Sequence, residues 1–146
     1  MLTNKGKLIT PQDCLIKYGE PSLKNQFLTL YDIPKELEIG AIPNKIYCNK
    51  DLVAPLTNAI ELLKLKGLHN EIKTYDGCFN IRNTRESTKQ SLHSWAIAID
   101  FNAFENGLRQ EPKLSDKFVM CFLDSGFHWG GLFKRLDGMH FQLAKI

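Results

Sequence analysis

The chain has 146 residues, of which 43% are hydrophobic and 24% charged, and a formal net charge of +3. That is enough for one domain with its own core, and the composition is that of a globular protein, not a disordered or fibrous one. So mild a charge, with no Lys/Arg run interleaved with aromatics, argues against a nucleic-acid partner, and no apolar run is long enough for a membrane span.

In chain order, Thr10-Pro11 followed by an apolar-periodic stretch and Gly19 predicts a short helix, with Thr10 as N-cap, Pro11 in the first turn and Gly19 just past the end. Phe27 to Asp32 reads as a strand, 33–45 as a loop and Ile46 to Cys48 as a short strand. Leu52, Leu56, Ala59, Ile60 and Leu63 recur at helical spacing and predict a helix from Asp51 to Lys66, closed by Gly67. Glu71 to Tyr75 is expected as a strand ending in an Asp76-Gly77 turn, and Phe79 to Arg82 as a second strand or extended edge. The polar stretch 83–90 is a loop. Trp95 to Asn102 alternates as a strand, with Trp95, Ile97, Ile99 and Phe101 facing a core and Ala96, Ala98, Asp100 and Asn102 facing the other way. Leu114 to Ser125 predicts a helix, and His140 opens a last alternating run. Helix, strands, helix, strands, helix, strand is an α+β order: one domain over 1–146 with a small, mostly antiparallel sheet and helices packed on it.

Cys14, Cys48, Cys78 and Cys121 are widely spaced and form no C-x-x-C. Free thiols in a protein made in the cytoplasm are the expectation. The N-terminus is basic without an apolar core, so no secretory signal is expected.

The chemistry concentrates in two stretches. In Ser91-Leu-His93-Ser-Trp-Ala-Ile-Ala-Ile-Asp100, an aspartate stands on the small-residue face of a strand, and His93 lies where the chain enters it. In Trp129-Gly-Gly-Leu-Phe-Lys-Arg-Leu-Asp137-Gly-Met-His140-Phe-Gln142, His140 and Gln142 share one side of the second run. An ionised Asp facing a concave surface needs a partner. Two His and one Asp, with a fourth position left to water, is the stoichiometry of catalytic zinc. His93, Asp100 and His140 are therefore the candidate ligands, and Asp137, across a glycine turn, is the candidate general base. His128 and His69 read better as packed or surface groups.

The pair S-x-H-x6-D and W-G-G-x5-D-x-x-H-F resembles the LAS zinc peptidases. These comprise the D-Ala-D-Ala carboxypeptidases (VanY-like) and dipeptidases, the L-alanyl-D-glutamate endopeptidases of bacteria and phage endolysins, and the hedgehog signalling domain. The resemblance covers 75–143. It implies the hedgehog/D-Ala-D-Ala-peptidase fold, a Zn2+ cofactor, and hydrolysis of peptidoglycan stem peptides by zinc-activated water, with Asp137 as base. It also implies an arginine upstream of the first ligand that holds charge developing on the substrate carbonyl. Arg82 is the first choice for it and Arg85 the second. Ser91 and Trp129, with Arg85, are the expected substrate-binding positions, Trp129 and its two glycines shaping the cleft floor. Where the family usually has glycine, this chain has Ala96.

The resulting expectation is a monomeric L-alanyl-D-glutamate endopeptidase of the endolysin type, acting on the cell wall in a phage- or lysis-associated role. The alternatives are a D-Ala-D-Ala carboxypeptidase or dipeptidase, a non-catalytic zinc-containing binding module, and a phage structural protein. The first 70 residues carry no chemistry that the sequence names.

Overall fold

In the computed structural model, which describes residues 1–146, helix α1 (Pro11–Tyr18) starts where the sequence places it. Thr10 Oγ1 accepts from the Asp13 amide and the Asp13 carboxylate accepts from the Thr10 amide, so two orphan donors are satisfied reciprocally. Strands β1 (Leu28–Asp32) and β2 (Lys45–Asn49) pair antiparallel as a two-stranded sheet. The loop between them contains one short 3-10 turn, Lys35–Leu37. Helix α2 (Lys50–Leu65) is capped by the Asn49 side chain and buries Leu52, Leu56, Ala59, Ile60 and Leu63. All four cysteines are buried and free. Burial pushes the Cys14 and Cys48 thiols up to about 12, which leaves them unreactive.

The second sheet is antiparallel and has the order β3-β4-β6-β5, from β3 (Tyr75–Gly77), β4 (Ala98–Phe101), β5 (Phe127–Trp129) and β6 (His140–Leu143). Helix α3 (Asp116–Leu123), capped by Ser115, lies on it. Between them sits an aromatic core of Phe101, Phe118, Phe122, Phe127 and Phe141, with the Phe122 and Phe141 rings 4.3 Å apart. Three helices and two small antiparallel sheets make the α+β class that the element order predicts.

Four expectations are corrected. The predicted eight-residue strand from Trp95 is only Ala98–Phe101. Leu92–Trp95 form a 3-10 turn and Ala96 follows it with φ of 55°. The cause is tertiary: Trp95 Nε1 donates to the Gly19 carbonyl at 2.7 Å and the Trp95 carbonyl accepts from Asn49 Nδ2, so the residue is held against α1 and not on the sheet. The predicted strand over Glu71 to Tyr75 begins only at Tyr75 and runs through Asp76-Gly77. The Asn102 side chain occupies the earlier segment, accepting from the Lys73 and Thr74 amides and donating to the Glu71 carbonyl. Phe79 to Arg82 forms no strand. Its amides bond to the 3-10 turn instead, Asn80 to the His93 carbonyl and Arg82 to Ser94 Oγ. Finally, β5 was not expected, because its three residues precede a glycine pair that reads as a turn.

Candidate active site

Asp100 stands on β4 directly opposite His140 on β6. The bond from the Phe101 N–H to the Met139 carbonyl makes Asp100/His140 a non-hydrogen-bonded pair, and the Leu143 N–H to Ile97 carbonyl bond gives the next such pair, Ala98/Gln142, the same phase. That is the closer-spaced kind, in which facing side chains meet. Phe101, Phe141 and Leu143 go to the aromatic core, so alternation puts Asp100, His140 and Gln142 on the opposite face, with Ala98 leaving room beside them. The third residue arrives on the 3-10 turn. Ser91 Oγ accepts from the His93 amide and caps it, and Ser94 Oγ exchanges hydrogen bonds with the Arg82 backbone.

The three side chains converge. His93 Nε2 and His140 Nδ1 each lie 3.2 Å from Asp100 Oδ1, and one ligand atom of each residue lies within 4.8 Å of the others. The outer nitrogens decide what fits between them. His93 Nδ1 donates to the Cys78 carbonyl at 2.7 Å, and His140 Nε2 donates to Gln142 Oε1 at 2.9 Å. With those protons outside, both neutral rings turn lone pairs towards the same carboxylate oxygen. Two lone pairs against an anion repel unless a cation sits among them. The donor set, N, N and O with its outer contacts already made, fits a zinc ion with one position open. Without a cation, burial works to raise the Asp100 pKa, but the two imidazoles outweigh it and hold the carboxyl well below the usual range. Burial likewise opposes a charge on His140, and Asp100 outweighs it, holding the His140 pKa above its ordinary value.

Asp137 lines the same cavity as the three ligands, and its carbonyl accepts from the His140 amide at 3.0 Å. Burial, helped by the nearby Asp100, raises its carboxyl pKa, although His140 pulls the other way. A carboxyl raised in this way is the better proton acceptor. The W-G-G motif supports this turn. A Cβ on Gly130 would stand 2.3 Å from the Asp137 carbonyl oxygen and 3.1 Å from His140 Cβ. Gly130 thus lets the backbone approach the Asp137–His140 turn, where the sequence suggested a part of the cleft floor. Trp129 is 5% exposed and outside the cavity lining. Its Nε1 donates to the Gly138 carbonyl at 2.8 Å, so it braces the turn from beneath.

The cavity has a volume of about 400 Å³. Of the expected substrate-contacting residues, Arg82, Arg85 and Ser91 line it. Arg85 is not the partner of Glu86; Arg109 takes that place. His128 is buried beside Gln142 on β5 but donates to the Lys5 carbonyl at 2.6 Å, away from the ligands. Sequence reasoning missed Gln142 as the holder of His140, although its place two residues along the same strand face was the available signal. It missed Lys134 and Arg135 in the lining, which lie in an irregular loop with no periodicity to read. It also missed the N-terminal segment. Asn4 bonds both the amide and the carbonyl of Trp129, and Leu8, Ile9 and Pro11 form part of the cavity wall.

No helix is long and apolar enough to cross a membrane. No curated protein and no solved structure matches the chain. Residues 84–143, which hold all three candidate ligands and Asp137, match the model of a family described as D-alanyl-D-alanine carboxypeptidase. That match supports a metallopeptidase acting on peptidoglycan peptides, and with it the LAS-type, VanY-like peptidase family that the two motifs resemble.

Proposed function

We propose that the chain is a zinc peptidase that hydrolyses the stem peptides of bacterial peptidoglycan, cutting the L-alanyl-D-glutamate bond in the manner of an endolysin. The observation that carries this reading is the convergence of His93 Nε2, Asp100 Oδ1 and His140 Nδ1, with the outer nitrogen of each ring already bonded. A zinc ion there would polarise the scissile carbonyl and acidify a water to a pKa of about 7.

The chain's own residues do the rest. Cys78 and Gln142 fix the tautomers of the two histidines, and Ser91 fixes the turn that presents His93. Asp137 takes the proton of the attacking water and passes it to the leaving nitrogen. Arg82 or Arg85, from the cavity wall, faces the charge that develops on the carbonyl oxygen. Leu8, Pro11, Lys134 and Arg135 line the cavity together with the ligands, and a cavity of about 400 Å³ has room for a peptide segment, which favours an endopeptidase. The second reading, a D-Ala-D-Ala carboxypeptidase, is favoured by the description of the matching family and by the cations of the wall, any of which suits a terminal carboxylate.

Mass spectrometry of peptidoglycan digested with zinc-loaded and zinc-stripped protein separates the two. A zinc-dependent new amino terminus at D-Glu supports the endopeptidase, and loss of terminal D-Ala moves the chain to the carboxypeptidases. Release of nothing from several wall types, with zinc bound, overturns both. Asp137→Ala is expected to keep its zinc and lose about 10²- to 10⁴-fold in turnover. Unchanged cleavage would remove Asp137 from the mechanism.

A further inference from the structure

Three loops meet beside the cavity, and their side chains carry more positive charge than the internal contacts use. Arg109, Lys134 and Arg135, with Leu136, surround a shallow depression that shares Lys134 and Arg135 with the cavity. The loops are tied by the backbone, Arg109 N–H to the Leu136 carbonyl at 2.7 Å, and by Arg135 Nη1, which donates to the Arg85 carbonyl at 2.8 Å. One anion meets two of the three cations. The Glu86 carboxylate accepts from Arg109 Nη2, and the same oxygen lies 3.9 Å from Arg135 Nη1. Glu86 and Arg109 both hold the left-handed backbone region, with φ of 60° and 66°, a conformation that costs a non-glycine residue and needs support from its contacts.

A carboxylate therefore already sits between two guanidinium groups, one of which, Arg135, lines the cavity. We propose that Arg109, Lys134 and Arg135 form an anion subsite that binds a carboxylate of the peptide substrate away from the scissile bond, and that Glu86 occupies this subsite in the free protein. Guanidinium groups suit planar carboxylates, and two of them flanking one oxygen give such a site its specificity. The inference deepens the peptidase reading and rests on it for the substrate class. Glu86 is then an internal competitor, displaced when the substrate's carboxylate arrives.

The test uses two variants with opposite expected signs, both exposed and outside the zinc site. Binding of a synthetic stem peptide is measured by calorimetry on zinc-loaded protein, with the peptide's carboxyl groups free or amidated. Arg109→Gln is expected to weaken binding of the free-carboxyl peptide about threefold to fivefold, as for an exposed charge pair, and to leave the amidated peptide unchanged. Glu86→Gln is expected to tighten binding of the free-carboxyl peptide by a similar factor, because the competing anion is gone. Raising the salt concentration should shrink both differences. Loss of binding in both variants would show that Glu86 and Arg109 only brace the loop, and would overturn the subsite. Equal effects on the free and amidated peptides would overturn it too, as would a preference for a poly(glycerol phosphate) wall polymer over any peptide. Binding is read separately from cleavage. A protein that cuts no wall peptide sinks the peptidase reading, while the opposite signs of the two variants still decide the subsite.

Discussion

At the residue scale, the site depends on contacts one step removed from the ligands. His140 presents Nδ1 inward because Gln142 takes its other proton. Gln142→Leu keeps the volume and removes that acceptor, and is expected to weaken zinc about tenfold with the fold intact. Chelator competition measures this, and unchanged affinity would show that the β6 backbone alone orients the ring. Gly130 is a harder constraint. Gly130→Ala places a methyl 2.3 Å from the Asp137 carbonyl oxygen, a backbone atom that must move. Destabilisation of about 2 kcal/mol or more is expected, with turnover lost as the Asp137 turn shifts. Denaturant titration beside an activity assay checks both parts. Ala96 shows a milder case of the same kind. It holds a φ of 55°, where the family's usual glycine would sit without strain, and its buried methyl is the compensation.

At the scale of elements, polar contacts tie the first third of the chain to the rest, and one pair of them joins the two helices α1 and α2. Tyr18 on α1 donates to Asp51 in the first turn of α2 at 2.6 Å, and Lys17 lies 3.1 Å from the same carboxylate. Burial works to raise the Asp51 pKa, but the Tyr18 hydroxyl and Lys17 outweigh it and the carboxyl lies below its ordinary value. A carboxyl lowered on folding stabilises the fold above its unfolded pKa, and that contribution is lost as pH falls through the folded value. Asp51→Asn is therefore expected to cost about 1 kcal/mol at neutral pH, reduced by the partial exposure of the pair, and progressively less in acid as the pH falls through the folded value. Stability curves at neutral and acid pH test the sign; a cost that persists in acid would assign the effect to packing. The same elements show what a sequence can reveal. The convergence of His93, Asp100 and His140 was legible because strand alternation put Asp100 and His140 on an open face and the motif added His93 at the entry to the strand, and the capped helices α1 and α2 were legible from their end signals. The long strand from Trp95 was misread because Trp95 bonds to Gly19, seventy-six residues away, a contact no local pattern carries. The role of residues 1–9 was illegible for the same reason, since Asn4 meets Trp129 at a separation of 125 residues.

At the scale of the whole molecule, the candidate metal site joins the 3-10 turn at Leu92–Trp95, β4 and β6, so an ion bound there ties segments that only folding brings together. Anything that binds the folded chain alone stabilises it by mass action, about 3 kcal/mol at a hundredfold excess over the dissociation constant. Chelation is expected to lower the calorimetric melting temperature and added zinc to restore it. A melting temperature indifferent to both would mean that the three side chains hold no ion in solution.

The strand order β3-β4-β6-β5 sets a timetable for synthesis. The last strand of the chain lies between two earlier ones and supplies His140 from the middle of the sheet. Until Leu143 has left the ribosome, β4 and β5 have no strand to join them and Asp100 has no histidine across from it. A partly made chain therefore has Asp100 and His93 without the third candidate ligand, and the site assembles only once the finished β6 inserts between its neighbours.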